Sequence, residues 1–241
     1  MIIDSHQHLG DCRVFDHEVT EEKLIGCLDS NKVDAAVVFP FPGATDEVAV
    51  HTSISQLIEK YPGRIIGLIS LNPHRSEDAY FNEIERCIKM NFKGIKIHPF
   101  GHACPVTAKD ADKVFYAAQE YNVPVVIHTG LGVPYTLPSV VIPRARQFPK
   151  LKIVLAHSGA YIYSGEAVLV AQECPNVYLE TSWCAAYRIR EFVKRFGPDR
   201  VMFGSDLPEN IASELAKYRS VLNEGELAWC LADTAKNVFN I

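Results

Sequence analysis

The chain has 241 residues, of which 48% are hydrophobic, so it is long enough to bury a sizeable core. Its formal net charge of -5 provides no basic surface, and nucleic acid is therefore not an expected partner. No apolar run approaches the ~20 residues that span a bilayer, so no membrane association is expected either.

Short apolar runs alternate with amphipathic segments along the whole chain. Eight runs rich in β-branched residues predict strands, namely Ile2–Ser5, Asp34–Phe39, Ile65–Leu71, Gly94–His98, Val123–His128, Lys152–His157, Asn176–Glu180 and Arg200–Ser205. The intervening segments predict helices at Thr20–Lys32, Asp46–Tyr61, Glu77–Met90, Lys109–Tyr121, Pro138–Phe148, Gly165–Glu173, Ala185–Phe196 and Ile211–Tyr218. The strands are apolar on both faces, as expected of a parallel sheet that is covered on both sides.

Eightfold repetition of a strand and a helix favours a closed parallel barrel over an open, doubly wound sheet. The length agrees, since a (β/α)8 barrel, or TIM barrel, typically has ~250 residues. A last helix near Glu226–Val238 is predicted to cap the barrel. No linker or low-complexity tract interrupts the pattern, so we expect one α/β domain spanning residues 1–241.

The seven cysteines are an odd number and include no Cys-x-x-Cys pair. Such usage is typical of free thiols in a reducing compartment, which predicts a cytoplasmic protein. It also argues against a disulfide framework and against a zinc site made of thiolates.

Metal-competent side chains occur at the ends of five predicted strands. His6 and His8 come with strand one, and alternate residues of a strand point the same way. The others are Lys96 and His98 on strand four, His128 on strand five, His157 on strand six and Asp206 on strand eight. Barrel active sites form at the carboxyl ends of the strands, and imidazole is the commonest metal-ligating group. The sequence therefore predicts a divalent metal site at this rim.

Each of these residues has an ordinary structural explanation when it is taken alone. A histidine that ends a strand is more often a satisfied polar residue than a ligand. Asp206 would suit a turn or a helix N-cap, and Lys96 would suit either a snorkelling side chain or a pair with a carboxylate. The metal site is favoured because all five strands would otherwise need separate reasons to carry such a group at one rim.

These motifs resemble those of the amidohydrolase superfamily, and their residue patterns are most similar to those of its amidohydrolase-2 branch. The matching stretches are Ile3-Asp-Ser-His-Gln-His8, Gly94-Ile-Lys-Ile-His-Pro99, Val126-Ile-His-Thr-Gly130, Ala156-His-Ser-Gly159, Asn176-Val-Tyr-Leu-Glu-Thr-Ser182, Phe203-Gly-Ser-Asp-Leu-Pro208 and Thr234-Ala-Lys-Asn-Val-Phe239. They span nearly the whole chain in the order expected of that family. The resemblance implies a metal-dependent barrel enzyme from a branch that includes hydrolases, lactonases, decarboxylases and hydratases.

The resemblance also implies roles for the rim residues. The metal ligands would be His6, His8, His128 and Asp206. His157 would be either a ligand of a second metal or the imidazole beside the attacking water. Asp206 would also act as the general base or proton shuttle, together with His157. Zinc is the favoured metal, with one or two ions per chain.

Lys96 decides between one metal and two. In two-metal relatives a lysine on strand four is carboxylated and bridges the ions, and an unmodified ammonium would repel a cation. Lys96 is therefore a metal ligand only as the carbamate. In one-metal relatives, Lys96 or His98 would instead contact an anionic substrate, and this arrangement is slightly favoured.

The predicted loops indicate a small-molecule substrate that carries a carboxylate or a ring. Arg13, His98 and Trp183 are the candidate substrate-binding residues. The expected reaction is hydrolysis of a small ester, lactone or amide by metal-activated water. The alternatives are decarboxylation or hydration of a small carboxylic acid at the same metal site, and a metal-binding barrel without catalysis. Related barrels are often dimers, which leaves a homodimer as an open expectation.

Overall fold

The computed structural model describes residues 1–241 and follows the expected alternation of strands and helices. The strands are β1 Ile3–Cys12, β2 His17–Val19, β3 Ala35–Pro40, β4 Ile65–Gly67, β5 Ile69–Ser70, β6 Ile95–Ile97, β7 Val125–His128, β8 Ile153–Ala156, β9 Val177–Glu180 and β10 Val201–Met202. The α-helices are α1 Glu21–Ser30, α2 Glu47–Lys60, α3 Glu77–Lys89, α4 Asp112–Glu120, α5 Ile142–Gln147, α6 Ala160–Glu173, α7 Ala186–Phe196, α8 Ile211–Val221, α9 Glu224–Ala228 and α10 Thr234–Phe239. A π-helical turn, Trp229–Asp233, joins α9 to α10.

The third barrel strand is built from β4 and β5, which are separated only by Leu68. β4 pairs with β3 and β5 pairs with β6, both in parallel. At the break, the Leu68 amide donates to the Val38 carbonyl and the Ile69 amide donates to the Gly94 carbonyl, each at 2.9 Å. The strand therefore changes partner without leaving the barrel.

The barrel closes between its last strand and its first. The Ser5 amide donates to the Phe203 carbonyl at 3.0 Å, and the Asp206 amide donates to the His6 carbonyl at 2.9 Å. Every other neighbouring pair of barrel strands is parallel. The predicted α/β fold, a (β/α)8 barrel, is confirmed.

The lumen is plugged at the end where the strands begin. Ile3, which begins β1, and Met202 of β10 pack in one buried cluster with Val238 and Phe239 of α10. The expected capping helix is therefore α10, and it closes the amino-terminal mouth with apolar side chains. The opposite mouth is left for the polar residues.

Most element boundaries differ from the prediction by a few residues, and two larger differences have identifiable reasons. β1 runs on to Cys12 because Gly10–Cys12 pairs antiparallel with β2, so His6 and His8 lie inside a strand and not beyond its end. α6 begins at Ala160, not at Gly165, because left-handed φ values of 64° at His157 and 42° at Ser158 turn the chain sharply after β8.

The structure also bears on the expectations for cysteines and membranes. All seven cysteines are free thiols, and six of them are buried. Small buried thiols of this kind behave as core residues. None of the helices combines the length and the hydropathy that crossing a membrane would require.

Candidate metal centre

His6, His8 and Asp206 meet at the open mouth of the barrel. Asp206 Oδ1 lies 3.1 Å from His6 Nε2 and 3.3 Å from His8 Nε2. The three ligand atoms all lie within 4.8 Å of one another, and both histidines are buried. Three of the residues predicted to bind metal are thus brought to one point.

The backbone explains how these three side chains reach one point. The pairing of β1 with β3 shifts register between Asp4 and Gln7, and this irregularity lies just where His6 turns into the lumen. Asp206 has a left-handed φ of 69°, which redirects the chain after β10. Such conformations are uncommon for residues other than glycine and cluster at functional sites.

Each of the three ligand side chains is held through the ring nitrogen or carboxylate oxygen that points away from the other two ligands. The contacts are His6 Nδ1 with Glu180 Oε2 at 2.8 Å, His8 Nδ1 with the Pro40 carbonyl at 3.4 Å, and Asp206 Oδ2 with the Trp183 indole N–H at 2.8 Å. These contacts leave His6 Nε2, His8 Nε2 and Asp206 Oδ1 facing each other. Metal-ligating histidines usually have their other ring nitrogen held by a carboxylate or a carbonyl, and the residues therefore fit a divalent cation.

The protonation states are set by burial and by the neighbouring charges. Burial lowers the pKa of His8 to about 4, so its imidazole is neutral at pH 7. Burial alone would raise the pKa of Asp206, but His157 and the two imidazole contacts hold it well below its usual range. Burial and Lys96 lower the pKa of His6, yet Glu180 and Asp206 outweigh them and raise it. A histidine binds a metal ion only as the neutral imidazole, so a cation at His6 would compete with protonation of its ring.

Glu180, at the end of β9, is a site residue that the sequence reasoning did not assign. Besides His6 Nδ1, it accepts hydrogen bonds from the His157 amide and from the Ser182 hydroxyl, both at 3.0 Å. Burial raises the pKa of Glu180, but the charge and hydrogen bond of His6, the charge of His157 and the Ser182 amide bring it down to about 2. A Cβ at Gly204 would lie 2.5 Å from Glu180 Oε1, so glycine is required there. The sequence signal that could have identified Glu180 is an acidic residue that ends an apolar strand at the same rim.

His157 lies beside the three ligands. Its ring stacks on that of His6 with centroids 4.7 Å apart, and its Nε2 lies 4.0 Å from Asp206 Oδ1. The Ser182 hydroxyl holds its Nδ1 at 2.6 Å. Burial keeps the pKa of His157 well below its usual value, so it is a neutral base. Whether it acts as a proton carrier or as a second-metal ligand stays a prediction.

Lys96 is buried in the lumen without an acidic partner. Its Nζ lies 3.4 Å from His6 Nε2 and 4.7 Å from the centroid of the Phe39 ring, and no carboxylate oxygen lies within 4.0 Å. Burial lowers the pKa of Lys96 to about 8. The direct pair with a carboxylate, one of the ordinary explanations for this lysine, is therefore absent.

His98 and His128 form a stacked pair next to the ligands. Their ring centroids lie 3.7 Å apart, and the His128 ring lies 4.8 Å from that of His157. His128 Nε2 contacts the Leu131 carbonyl at 2.9 Å, and neither of its nitrogens belongs to the group of three. Burial lowers the pKa of His128 to about 3. Its assignment as a metal ligand stays a prediction.

The two remaining substrate-binding candidates occupy different places. Trp183 reaches the centre of the site through Asp206, although 47% of its surface is exposed. Arg13 lies on the outer rim, where its Nε donates to Thr45 Oγ1 at 2.8 Å. The structure thus brings Trp183 to the ligands and leaves Arg13 at a distance.

A group with metal-ligand spacing outside the lumen, made of His51, Glu83 and Cys87, lies between α2 and α3. The Ser70 amide donates to His51 Nε2 at 3.1 Å, and His51 Nδ1 pairs with Glu83 Oε1 at 2.8 Å. Arg86 adds two hydrogen bonds to Glu83, each at 2.7 Å. Both imidazole nitrogens are used, so this group is a structural network.

A closed parallel barrel with histidines and an aspartate at its carboxyl-terminal mouth defines a class of barrel enzymes with a metal-competent rim. The chain belongs to the amidohydrolase family, whose model (Amidohydro_2) matches residues 3–240. The resemblance inferred from the motifs is thereby confirmed. A search of curated proteins found no match.

Solved structures with the same fold cover almost the whole chain. The 5-carboxyvanillate decarboxylase of Sphingomonas paucimobilis matches with a TM-score of 0.79 and 17% identity, over 100% of this chain and 99% of its own. The corresponding enzyme of Novosphingobium aromaticivorans, complexed with manganese and 4-hydroxy-3-methoxy-5-nitrobenzoic acid, matches at 0.78 and 17%, over 100% and 96%. A putative 2-pyrone-4,6-dicarboxylic acid hydrolase of Pseudomonas putida matches at 0.75 and 19%, over 99% and 97%.

Proposed function

We propose that this protein is a metal-dependent hydrolase that acts on a small ester, lactone or amide. The observation that carries the proposal is the convergence of His6 Nε2, His8 Nε2 and Asp206 Oδ1, whose side chains are each held by a second contact on the far side. Membership of the amidohydrolase family supports an enzymatic role.

The residues around the three ligands suit proton transfer. When bound, a divalent cation lowers the pKa of a bound water to roughly 7 and polarises a carbonyl group. Asp206 is a carboxylate that can accept a proton, and neutral His157 lies 4.0 Å from its Oδ1. The Ser182 hydroxyl fixes His157 Nδ1, so that Nε2 faces the site. We assign Asp206 and His157 to proton transfer and not to substrate binding.

Two imidazoles and one carboxylate suit several divalent metals. We propose zinc, and manganese is the main competitor because the decarboxylase of similar fold from Novosphingobium aromaticivorans contains it. Removal of bicarbonate during metal reconstitution is expected to lower metal occupancy only if Lys96 is a carbamate that serves as a ligand.

A second candidate function is decarboxylation of a small carboxylic acid at the same centre. Lys96 favours it, since a buried ammonium without an acidic partner would stabilise a substrate carboxylate. Several solved structures of the same fold are described as decarboxylases, among them those for 5-carboxyvanillate and 2,6-dihydroxybenzoate. The neutral His98–His128 stack provides a flat face for a ring in either reaction.

Metal analysis and two substrate panels test the proposal. The purified protein is expected to contain, or to take up, a divalent metal and to hydrolyse at least one member of an ester, lactone and amide panel. CO₂ release from aromatic carboxylates without hydrolysis would support the second candidate. A folded protein that takes up no metal would end both, and bound metal without any activity would indicate a non-catalytic barrel.

A further inference from the structure

We propose that Trp183 is a positioning residue whose indole N–H holds one oxygen of Asp206, so that only the other oxygen is offered to the metal. The inference rests on the proposed function, because it requires a metal ion at Asp206. It assigns Trp183 a task that is separate from contact with a substrate.

The two oxygens of Asp206 have different surroundings. Oδ1 faces the histidines, at 3.1 Å from His6 Nε2 and 3.3 Å from His8 Nε2. Oδ2 points away from them and accepts the Trp183 indole N–H at 2.8 Å. A carboxylate held in this way favours binding a cation through Oδ1, because the indole N–H fixes its orientation and occupies one lone pair of Oδ2.

The turn that carries Trp183 is held from outside the barrel by α8. Trp183 has a left-handed φ of 65°, which is unfavourable for a bulky side chain unless the surroundings enforce it. Glu214 accepts its amide at 3.2 Å, and Lys217 donates to the Cys184 carbonyl at 2.8 Å. Two residues of α8 thus fix the backbone on both sides of the indole.

The indole hydrogen bond is specific for tryptophan at this position. The indole N–H can only donate, and the carboxylate of Asp206 is the group that accepts it. Phenylalanine would keep an aromatic face for a substrate but would remove the donor. A residue that serves only as a wall for the substrate would therefore tolerate Trp183→Phe without any change at the metal.

Metal binding by Trp183→Phe tests the inference without a substrate. Competition with a chelator should show about tenfold weaker binding of Zn²⁺, since loss of a partner that orients a ligand typically costs 10–100-fold in affinity. The visible absorption of bound Co²⁺ should also change, because a carboxylate free to bind through both oxygens raises the coordination number. Trp229→Phe, in the π-helical turn, is the matched control and should behave as the wild type.

Unchanged Zn²⁺ affinity together with an unchanged Co²⁺ spectrum in Trp183→Phe would overturn the inference while leaving the proposed function standing. A wild-type protein that binds neither ion would instead overturn the proposed function and this inference with it.

A second measurement covers the case in which Trp183→Phe does not fold. The chain has two tryptophans, so Trp229→Phe leaves Trp183 as the only one. Stoichiometric Zn²⁺ should then shift the Trp183 emission, because the ion neutralises the carboxylate that contacts the indole. The shift should vanish when Asp206→Asn is added, and bound Zn²⁺ that leaves the emission unchanged would contradict the inference.

Discussion

Two buried clusters of histidine and acid lie on opposite sides of the barrel wall. The rim cluster comprises His6, His8 and Asp206 in the lumen, and the helix cluster comprises His51, Glu83 and Cys87 between α2 and α3. In both, the ligand atoms lie within 4.8 Å of one another. The closest contact is even shorter in the helix cluster, 2.8 Å against 3.1 Å. By distance alone, the helix cluster would be the better candidate.

The hydrogen bonds of the two clusters make the rim cluster the better candidate. In the helix cluster, His51 accepts the Ser70 amide with one nitrogen and pairs with Glu83 through the other. Arg86 neutralises the acid as well. In the rim cluster, Glu180, Pro40 and Trp183 hold the ring nitrogens and the carboxylate oxygen that point away from the centre. The other ligand atoms face each other, and Lys96 Nζ lies 3.4 Å from one of them, His6 Nε2. A metal centre is thus recognised by ligand atoms that face a common point and are not tied to the surrounding backbone.

Replacing one acid in each cluster should give the largest difference in kcat/KM between the two clusters. Asp206→Asn is expected to lower kcat/KM on the order of 10³-fold, because it removes both a ligand and a proton acceptor. Glu83→Gln should leave kcat/KM and the metal content unchanged, since its cluster lies outside the lumen. Steady-state kinetics and metal analysis on both variants check this, and equal losses in the two would erase the distinction.

Exchange of one histidine in each cluster should separate metal binding from stability. His8→Ala is expected to lose most of the bound metal. His51→Ala should keep the metal but lower the free energy of unfolding by about 2 kcal/mol, because the Ser70 amide and Glu83 lose buried partners. Metal analysis with denaturant unfolding measures both quantities. Full metal occupancy in His8→Ala would argue against the strand-one assignment.

The fold could be predicted because its signals are local. Apolar runs such as Val125–His128 alternate with helical segments at the period of one βα unit, and the rim residues come directly at the strand ends. The extension of β1 to Cys12 could not be read in this way. It depends on pairing with His17–Val19, and the residues of that short segment show no strand pattern in the sequence.

The site could be predicted only in part, because its support comes from residues far apart in the chain. Glu180 contacts His6 across 174 positions, so no sequence spacing indicates the pair. His128 has the right place at the end of β7, yet its Nε2 contacts the Leu131 carbonyl. Local pattern places a side chain at the rim, and hydrogen bonds decide which of its atoms is free, whether they come from far along the chain, as for His6, or from the adjoining loop, as for His128.

The partner behind His6 should have a smaller effect than the ligands themselves. Glu180→Gln keeps the size of the side chain but removes the charge that orients His6 Nδ1. Zn²⁺ affinity, measured by chelator competition, is expected to fall by roughly tenfold or more. Cys87→Ala in the helix cluster is the control that should leave this affinity unchanged. An unaltered affinity in Glu180→Gln would show that the rim cluster does not depend on its outer contacts.

The smallest effect concerns the pH dependence of stability in the helix cluster. Burial raises the pKa of Glu83, but His51 and Arg86 outweigh it and bring the value down from 4.5 to about 2. A carboxyl whose pKa is lower in the folded state stabilises the protein above pH 4.5, and that contribution is lost as the pH falls towards 2. The difference in unfolding free energy between the wild type and Glu83→Gln should therefore shrink over this range. Denaturant titrations in metal-free buffer measure it, and a difference that stays constant with pH would mean that Glu83 is not held as a charged partner of His51.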